Sequence, residues 1–250
     1  MNLTEKKVLI VGASSGIGAA LAKQLAGKGC ALALVARRQE QLEELACEIN
    51  KIAGRDLAHV YPADVTDYDQ AAPLFDKICS DFGGMDIVIY ASGVLHQVAA
   101  NEYCFAKDKE VLEVNLLGAI AWLNAAAQRF EAAKAGAIVG ISSVAADRGR
   151  RGLPVYNASK AALDTYLEAL RNRLGRRGVL VTTIKPGYVA TAMIAGLKTP
   201  IPPVPVDDAA AQIVNAIEEN ALVRYVSPKW RWIMLAIKMV PSPIMQRLNF

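Results

Sequence analysis

Seven short apolar runs recur along this chain of 250 residues, and a longer stretch with helical spacing separates each from the next. The runs are Lys7–Val11, Ala31–Ala36, Leu57–Tyr61, Ile87–Ala91, Ala137–Ser142, Val179–Ile184 and Leu222–Val226. Most are apolar throughout, as strands covered on both faces require. Between the second and third, Leu42, Leu45, Ala46, Ile49 and Ala53 repeat at helical spacing, and Gly54 stands at the stop. Such alternation predicts one α/β domain, a doubly wound parallel sheet of about seven strands with helices on both faces.

Composition narrows the functional classes. With 53% hydrophobic and 21% charged residues and a mean hydropathy of +0.23, the chain is neither disordered nor collagen-like. The net charge is only +4, with basic residues scattered, which argues against a nucleic-acid partner. Cys30, Cys47, Cys79 and Cys104 show no metal-ligand spacing and His59 and His96 are the only histidines, so no metal site is expected. Four spread thiols suit a reducing compartment, and Met1 to Lys7 leaves no room for a signal peptide, so a cytoplasmic location is expected. The apolar stretch from Val114 to Gln128 is shorter than the roughly 18 to 20 residues of a membrane span and reads as a helix buried on most sides. Thr199 to Pro205 reads as an extended surface loop, and packing or surface roles suit His96 and Cys104.

After the first run comes Gly12-Ala-Ser14-Ser15-Gly16-Ile17-Gly18, then a helix. Glycines admit a pyrophosphate to the backbone, and a helix N-terminus offers free N–H groups. Between a first strand and first helix, this pattern predicts a Rossmann-like dinucleotide site. The second run ends at Ala36-Arg37-Arg38. A carboxylate at Ala36 would favour NAD; two guanidiniums fit the 2′-phosphate of NADP instead. Asp64-Val65 follows the third run: Asp64 either accepts from the adenine amino group or caps the turn before Thr66 and Asp67.

A Tyr and a Lys four apart share a helix face. Tyr156…Lys160, Tyr103…Lys107 and Tyr225…Lys229 all have this spacing. Pro228 interrupts the last, and no serine-bearing strand end precedes Tyr103. Tyr156 alone opens a long helix thirteen residues after Ser143, at the end of the fifth run, where an open α/β sheet places its ligands.

The sequence resembles the short-chain dehydrogenase/reductase family, in particular its NADP-preferring carbonyl and 3-oxoacyl reductases. The resemblance rests on the glycine loop 12–18, Asp64-Val65, Asn115 in Val-Asn-Leu-Leu-Gly, Ser142-Ser143, Tyr156-x-x-x-Lys160 and Pro186-Gly187-Tyr-Val189-Ala-Thr191. It implies a catalytic tetrad of Asn115, Ser143, Tyr156 and Lys160, and an NADP site of Gly12, Ser14, Ser15, Gly16, Ile17, Gly18, Arg37, Arg38, Asp64, Val65, Ser92, Gly93, Tyr156, Lys160, Pro186, Gly187, Val189 and Thr191. The tetrad's Asn115 would position a water linking Lys160 to solvent. Tyr90-Ala91-Ser92-Gly93 stands where the family often has Asn-Asn-Ala-Gly, removing amides that brace the central sheet; Val11 replaces the usual Thr.

Magnitudes support the tetrad. A free phenol has a pKa of about 10, so ionising it at neutral pH costs roughly 4 kcal/mol. A cation about 4 Å away supplies about that much at an effective dielectric near 20. Lys160 would then make Tyr156 a general acid/base, with Ser143 bonding the oxygen where alkoxide charge develops.

Three segments, 94–105, 146–155 and 192–206, are expected to face substrate. The second carries Arg148, Arg150 and Arg151, which would meet an anionic group or solvate a rim. The stretch from Lys229 to Val240 is apolar almost all round, with Arg231 and Lys238 on one face and Pro241 at its end. Residues 229–250 are therefore expected to extend a catalytic domain of residues 1–228, buried in a dimer or tetramer interface, over the cleft or in a membrane surface. The leading reading is a reductase or dehydrogenase acting on a lipophilic or acyl-type carbonyl or alcohol. The alternative is an idle NADP-binding redox sensor or scaffold.

Overall fold

Strand and helix alternate from end to end. The computed structural model describes residues 1–99, 101–197 and 199–248. The order is β1 (Lys7–Val11), α1 (Gly16–Gly27), β2 (Ala31–Ala36), α2 (Gln39–Ala53), β3 (Ala58–Pro62), α3 (Tyr68–Asp81), β4 (Ile87–Tyr90), α4 (Phe105–Leu112), α5 (Gly118–Ala133), β5 (Ala137–Ile141), α6 (Pro154–Leu174), β6 (Leu180–Pro186), α7 (Val206–Glu218), β7 (Val223–Val226), α8 (Lys229–Met239) and α9 (Ser242–Met245). All seven expected strands form, each boundary within two residues of its expected place. Ala100 and Lys198, in two segments expected to face substrate, lie outside the described residues, as do Asn249 and Phe250 of the C-terminal stretch.

The seven strands make one parallel sheet in the order β3-β2-β1-β4-β5-β6-β7. Alternate side chains serve opposite faces. Val8, Ile10, Leu32, Leu34, Ile87 and Ile89 pack with Leu21, Leu25, Leu42, Ile213 and Ile217 of α1, α2 and α7. Leu9, Val11, Val35, Val88 and Tyr90 pack with Phe75, Trp122, Phe130, Leu163 and Leu167 of α3, α5 and α6. Each large side chain buried there contributes about 1.5–3 kcal/mol, which is why these runs are uniformly apolar.

A π-turn over Glu113–Leu117 joins α4 to α5, so one helix runs from Phe105 to Ala133. By length and composition alone it could cross a membrane; it is a core helix here, half of its apolar window being buried. Its buried residues Ala119, Trp122, Leu123, Ala126 and Phe130 share one face, whereas Leu117, Asn124 and Gln128 are exposed. Burial on most sides was expected, but only one face meets the sheet.

Tyr90 stands in for the missing asparagine amides. Its ring is fully buried, and its hydroxyl donates to the Val114 carbonyl at 2.6 Å, tying β4 to the π-turn. The Thr199–Pro205 loop, expected to be extended, bends at Pro200 and Ile201 before Val204 pairs in parallel with Val189.

At the C-terminus, α8 lays Trp230 and Met234 on Val144, with Tyr188, Ile201 and Tyr225 around them. Lys238 Nζ lies 2.9 Å from Asp147, and Arg148 donates to the Val240 carbonyl at 3.1 Å. The opposite face is open: Trp232, Leu235, Met239 and Ile244 are half to three-quarters exposed.

Removing a buried hydroxyl that donates to a buried carbonyl costs about 1–3 kcal/mol. Tyr90→Phe should therefore lower the unfolding free energy by about that much in urea titrations. Tyr68→Phe, whose buried hydroxyl has no partner among the described residues, should cost less than about 0.5 kcal/mol.

Candidate active site

The chain leaves β1 toward β2 and β3 and returns on the other side with β4. A cleft of about 640 Å³ opens over the carboxyl ends at this reversal. Gly12, Ser14, Ser15, Gly16, Ile17, Arg37, Arg38, Val65, Ser92, Gly93, Ser143, Tyr156, Lys160, Pro186, Gly187, Val189 and Thr191 all line it. Three expected site residues do not: Gly18, Asp64 and Asn115.

Gly18 is absent from the wall because it packs behind the loop. A Cβ there would stand 2.1 Å from the Gly12 carbonyl oxygen, so the residue allows the turn to close rather than meeting a ligand. The N-terminus of α1 points into the cleft region with Ser15 as N-cap. The Ser15 side chain caps nothing, and no acidic residue sits in the first turn. Arg38 bonds the Ser14 hydroxyl at 2.9 Å and the Ser15 hydroxyl at 2.6 Å, gathering two hydroxyls and a guanidinium beside free helix N–H groups. That donor set fits phosphate groups. Among the described residues no Asp or Glu lines the cleft.

Asp64 makes the turn-capping bonds of the second of its two expected readings. Its Oδ1 accepts from the Thr66 amide at 2.9 Å and the Thr66 hydroxyl at 2.8 Å, and its Oδ2 lies 3.6 Å from Arg37. Burial alone would raise this carboxyl; the Thr66 bonds and Arg37 hold it below the ordinary carboxylate range. Val65, not Asp64, reaches the cleft.

Asn115 projects inward from the π-turn, fully buried. Its Oδ1 accepts from the Val94 amide at 2.7 Å; its Nδ2 donates to the Val94 carbonyl at 3.0 Å and to Ser159 Oγ at 3.2 Å. The carboxamide thus clamps the Val94 backbone to the Tyr156-bearing helix.

Ser143 ends the fifth strand run and caps the short turn Val144–Asp147, accepting from the Ala145 amide at 3.1 Å. Helix α6 starts on Pro154, which needs no N–H partner. Asn157, unforeseen from the sequence, donates to the carbonyls of Ala145 at 2.9 Å and Arg148 at 2.7 Å, fixing the 144–153 loop against α6. Lys160 Nζ donates to the Ile141 carbonyl at 3.0 Å and lies 5.9 Å from the centre of the Tyr156 ring. Burial lowers the Lys160 pKa to about 8, against the charge of Asp164. Burial raises the Tyr156 phenol, while Ser143 and Arg150 oppose that rise. Lys160 was expected to be the group that draws the phenol down; here its ammonium is turned to Ile141.

The competing Tyr/Lys pairs separate. Tyr103 is 94% exposed ahead of α4, and Lys107 pairs with Glu102. Tyr225 sits on β7 and donates to Asp147 at 2.7 Å, while Lys229 opens α8. His96 pairs with Glu110 at 2.8 Å.

Behind the cleft, Lys185 bridges Asp147 at 2.7 Å and Asp164 at 2.6 Å, largely buried. Trp230 packs against the site's floor: a Cβ on Gly187 would meet its Nε1 at 1.9 Å. Helix α8 was expected to border the cleft; it lies one layer behind it, touching through Gly187 and Tyr188. The outer half of the cleft is apolar, with Val94, Leu95 and Val98 after β4, Leu153 before α6, and Met193, Ile194 and Leu197 after β6. These belong to the three segments expected to face substrate. Val144 and Tyr188 were missed, since neither carries a sequence signal beyond being apolar.

Comparison with known proteins agrees with this architecture. Residues 6–201 match the family model described as short chain dehydrogenase. An uncharacterised oxidoreductase of Mycobacterium tuberculosis is 34% identical over 236 residues, covering 93% of this chain and 92% of the relative. A short-chain type dehydrogenase/reductase from Mycobacterium ulcerans superposes with a TM-score of 0.85 at 24% identity, over 94% of this chain and 92% of that one. A short-chain dehydrogenase from Sphingobium yanoikuyae in complex with NADPH is 26% identical, with a TM-score of 0.83, over 98% of this chain and 96% of that one. With that match over most of its length, the chain belongs to the short-chain dehydrogenase family of oxidoreductases.

Proposed function

We propose that this oxidoreductase moves a hydride between NADPH and the carbonyl or alcohol carbon of a lipophilic substrate. The observation that carries the reading is the wall shared by Ser143, Tyr156 and Lys160, between a cation-bearing, carboxylate-free half and an apolar half of one cleft. Gly12, Ser14, Ser15 and Gly16 with the α1 N-terminus would hold the pyrophosphate, and Arg37 and Arg38 the 2′-phosphate. When bound there, the nicotinamide would supply the hydride. Tyr156 gives its proton to the carbonyl oxygen, and Ser143 donates a hydrogen bond to the same oxygen as charge develops there. Lys160 keeps a positive charge beside Tyr156, and Asn115 holds the Val94 loop that walls the substrate. The NADPH held by the Sphingobium relative supports the cofactor. An idle scaffold is the weaker reading, since it gives Ser143 and Tyr156 no reason to meet.

Members of this family act on small molecules and oligomerise. We assign residues 229–250 to the same catalytic unit as residues 1–228, and the inner face of α8 supports this. Its outer face suits an anionic lipid surface. Residues 220–250 hold Arg224, Lys229, Arg231, Lys238 and Arg247 and no Asp or Glu, more than the whole chain's net charge. Exposed Trp232 and Leu235 lie between Arg231 and Lys238 on α8, with exposed Met239 next to Lys238. The protein should sediment with phosphatidylserine-containing vesicles and not with phosphatidylcholine alone, and Trp232→Glu/Leu235→Glu should abolish this. A dimer that dissociates in the same variant, without vesicle binding, would assign the face to a second subunit.

NADPH should bind at least ~10-fold tighter than NADH, about 1.4 kcal/mol, and Arg37→Ala/Arg38→Ala should erase most of that gap; equal affinities in the unmutated protein refute the NADP assignment. Tyr156→Phe should lower turnover by at least ~10²-fold with near-normal NADPH binding, whereas Tyr103→Phe should change it little. Lys160 is protonated below a pKa of about 8, so reduction should slow as pH rises through that value. A rate flat across pH 7 to about 9.5 would remove Lys160's charge from the mechanism.

A further inference from the structure

Four cations among the described residues line the cleft: Arg37, Arg38, Arg150 and Lys160. The first two sit at the nucleotide end and the last beside the reacting oxygen. Arg150 belongs to neither group. It stands in the loop between Ser143 and Tyr156, among Val144, Leu153 and the apolar outer half. Among the described residues it forms no salt bridge and no side-chain hydrogen bond, and its Nε is sealed from solvent without a partner. No carboxylate among the described residues of the cleft wall is there to neutralise it.

Its loop is fixed rather than loose. Asn157 holds the carbonyls of Ala145 and Arg148, Arg148 reaches across to Val240, and Leu153-Pro154 opens α6. Of the three arginines in this loop, Arg148 is thus occupied, Arg151 is exposed outside the cleft wall, and only Arg150 faces the cleft. A guanidinium partly withdrawn from water and left unpaired is costly, and the cost is relieved by an oxyanion that accepts its fork of N–H groups. Its charge also reaches Tyr156.

We propose that Arg150 is an anion-binding residue of the substrate half, and that the substrate is an amphiphile: a carbonyl at Ser143 and Tyr156, an apolar body along Val98, Leu153, Met193 and Leu197, and a carboxylate or phosphate on Arg150. This rests on the carbonyl-reductase reading above and names its substrate class.

The test compares medium-chain oxo acids, with two to six methylenes between carbonyl and carboxylate, against their methyl esters and against phosphate monoesters of the matching hydroxyketones. At the favoured spacing the protein should use an anionic ketone at least ~10-fold better in kcat/KM than its ester, chiefly through KM. Arg150→Met should bring the two within about twofold, Arg150→Lys should restore part of the gap, and Arg151→Met should leave it intact. Preference for the acid or for the phosphate names the anion. Equal use of anionic and neutral ketones, or a gap that survives Arg150→Met, overturns the proposal.

A second measurement does not depend on turnover. Decanoate should raise the Tm of the NADP-saturated protein and not that of Arg150→Met, with methyl decanoate inert in both. Arg150-dependent stabilisation without turnover of any ketone would remove the reductase reading and leave the anion subsite standing. No stabilisation by decanoate or decyl phosphate removes the subsite.

Discussion

Parallel pairing of β1 on both of its edges is the constraint on which the rest of the structure depends. β1 is held by β2 on one side and β4 on the other, residue by residue from Val8 to Val11. The chain must therefore pass over one face of the sheet on its way out and the other on its way back. No crossover helix can cover the carboxyl end of the junction, and the cleft opens there. Every group argued to do chemistry hangs from that end: the glycine loop from β1, Gly93 and Val94 from beyond β4, Ser143 from β5, and Pro186 to Thr191 from β6. The sheet supplies rigidity, and the loops supply the reacting groups.

Electrostatics in the cleft follow from burial more than from proximity. Lys160 loses basicity because it is withdrawn from water. Tyr156 gains resistance to ionisation for the same reason, offset by Ser143 and Arg150. The buried Lys185 is different: two carboxylates hold it charged, and Asp147 receives Lys185, Lys238 and the Tyr225 hydroxyl at once. Such a cluster adds little net stability over an apolar core. It does fix where the turn after Ser143 sits, because Asp147 is pulled from three directions.

The strands were legible because each must be apolar on both faces. Boundaries moved by a residue or two where ends such as Ser142 and Pro186 fall at the rim. Most of the glycine loop, Ser143, Tyr156 and Lys160 could be read because their spacing relative to a strand end is itself the geometry. Asp64, Gly18 and Asn115 could not be placed so well: whether each touches the cleft or the scaffold depends on a side-chain direction that only Thr66, Gly12 and Val94 decide. Tyr90 shows the opposite limit. Its departure from the family pattern removed one set of braces, but the replacement bond to Val114 joins residues 24 apart, beyond any local pattern. Arg150 and Arg151 are neighbours with the same chemistry, and sequence alone does not say which one turns inward.

The π-turn at Glu113–Leu117 sets Asn115 into a core helix in a way that bears on how such a chain diverges. A π-turn holds one residue more than the α-helix it interrupts. Asn115 is displayed by that surplus, and the wider turn absorbs it locally, so Trp122, Leu123 and Phe130 still face the sheet. Deleting one residue here would restore a regular helix and leave that face where it is, because the wide turn and a regular turn sweep nearly the same angle. The clamp on Val94 can therefore be discarded by shortening without uncoupling the core. Descendants of this chain that abandon the chemistry have a one-residue route to do so, and a regular helix in place of the turn would mark the loss.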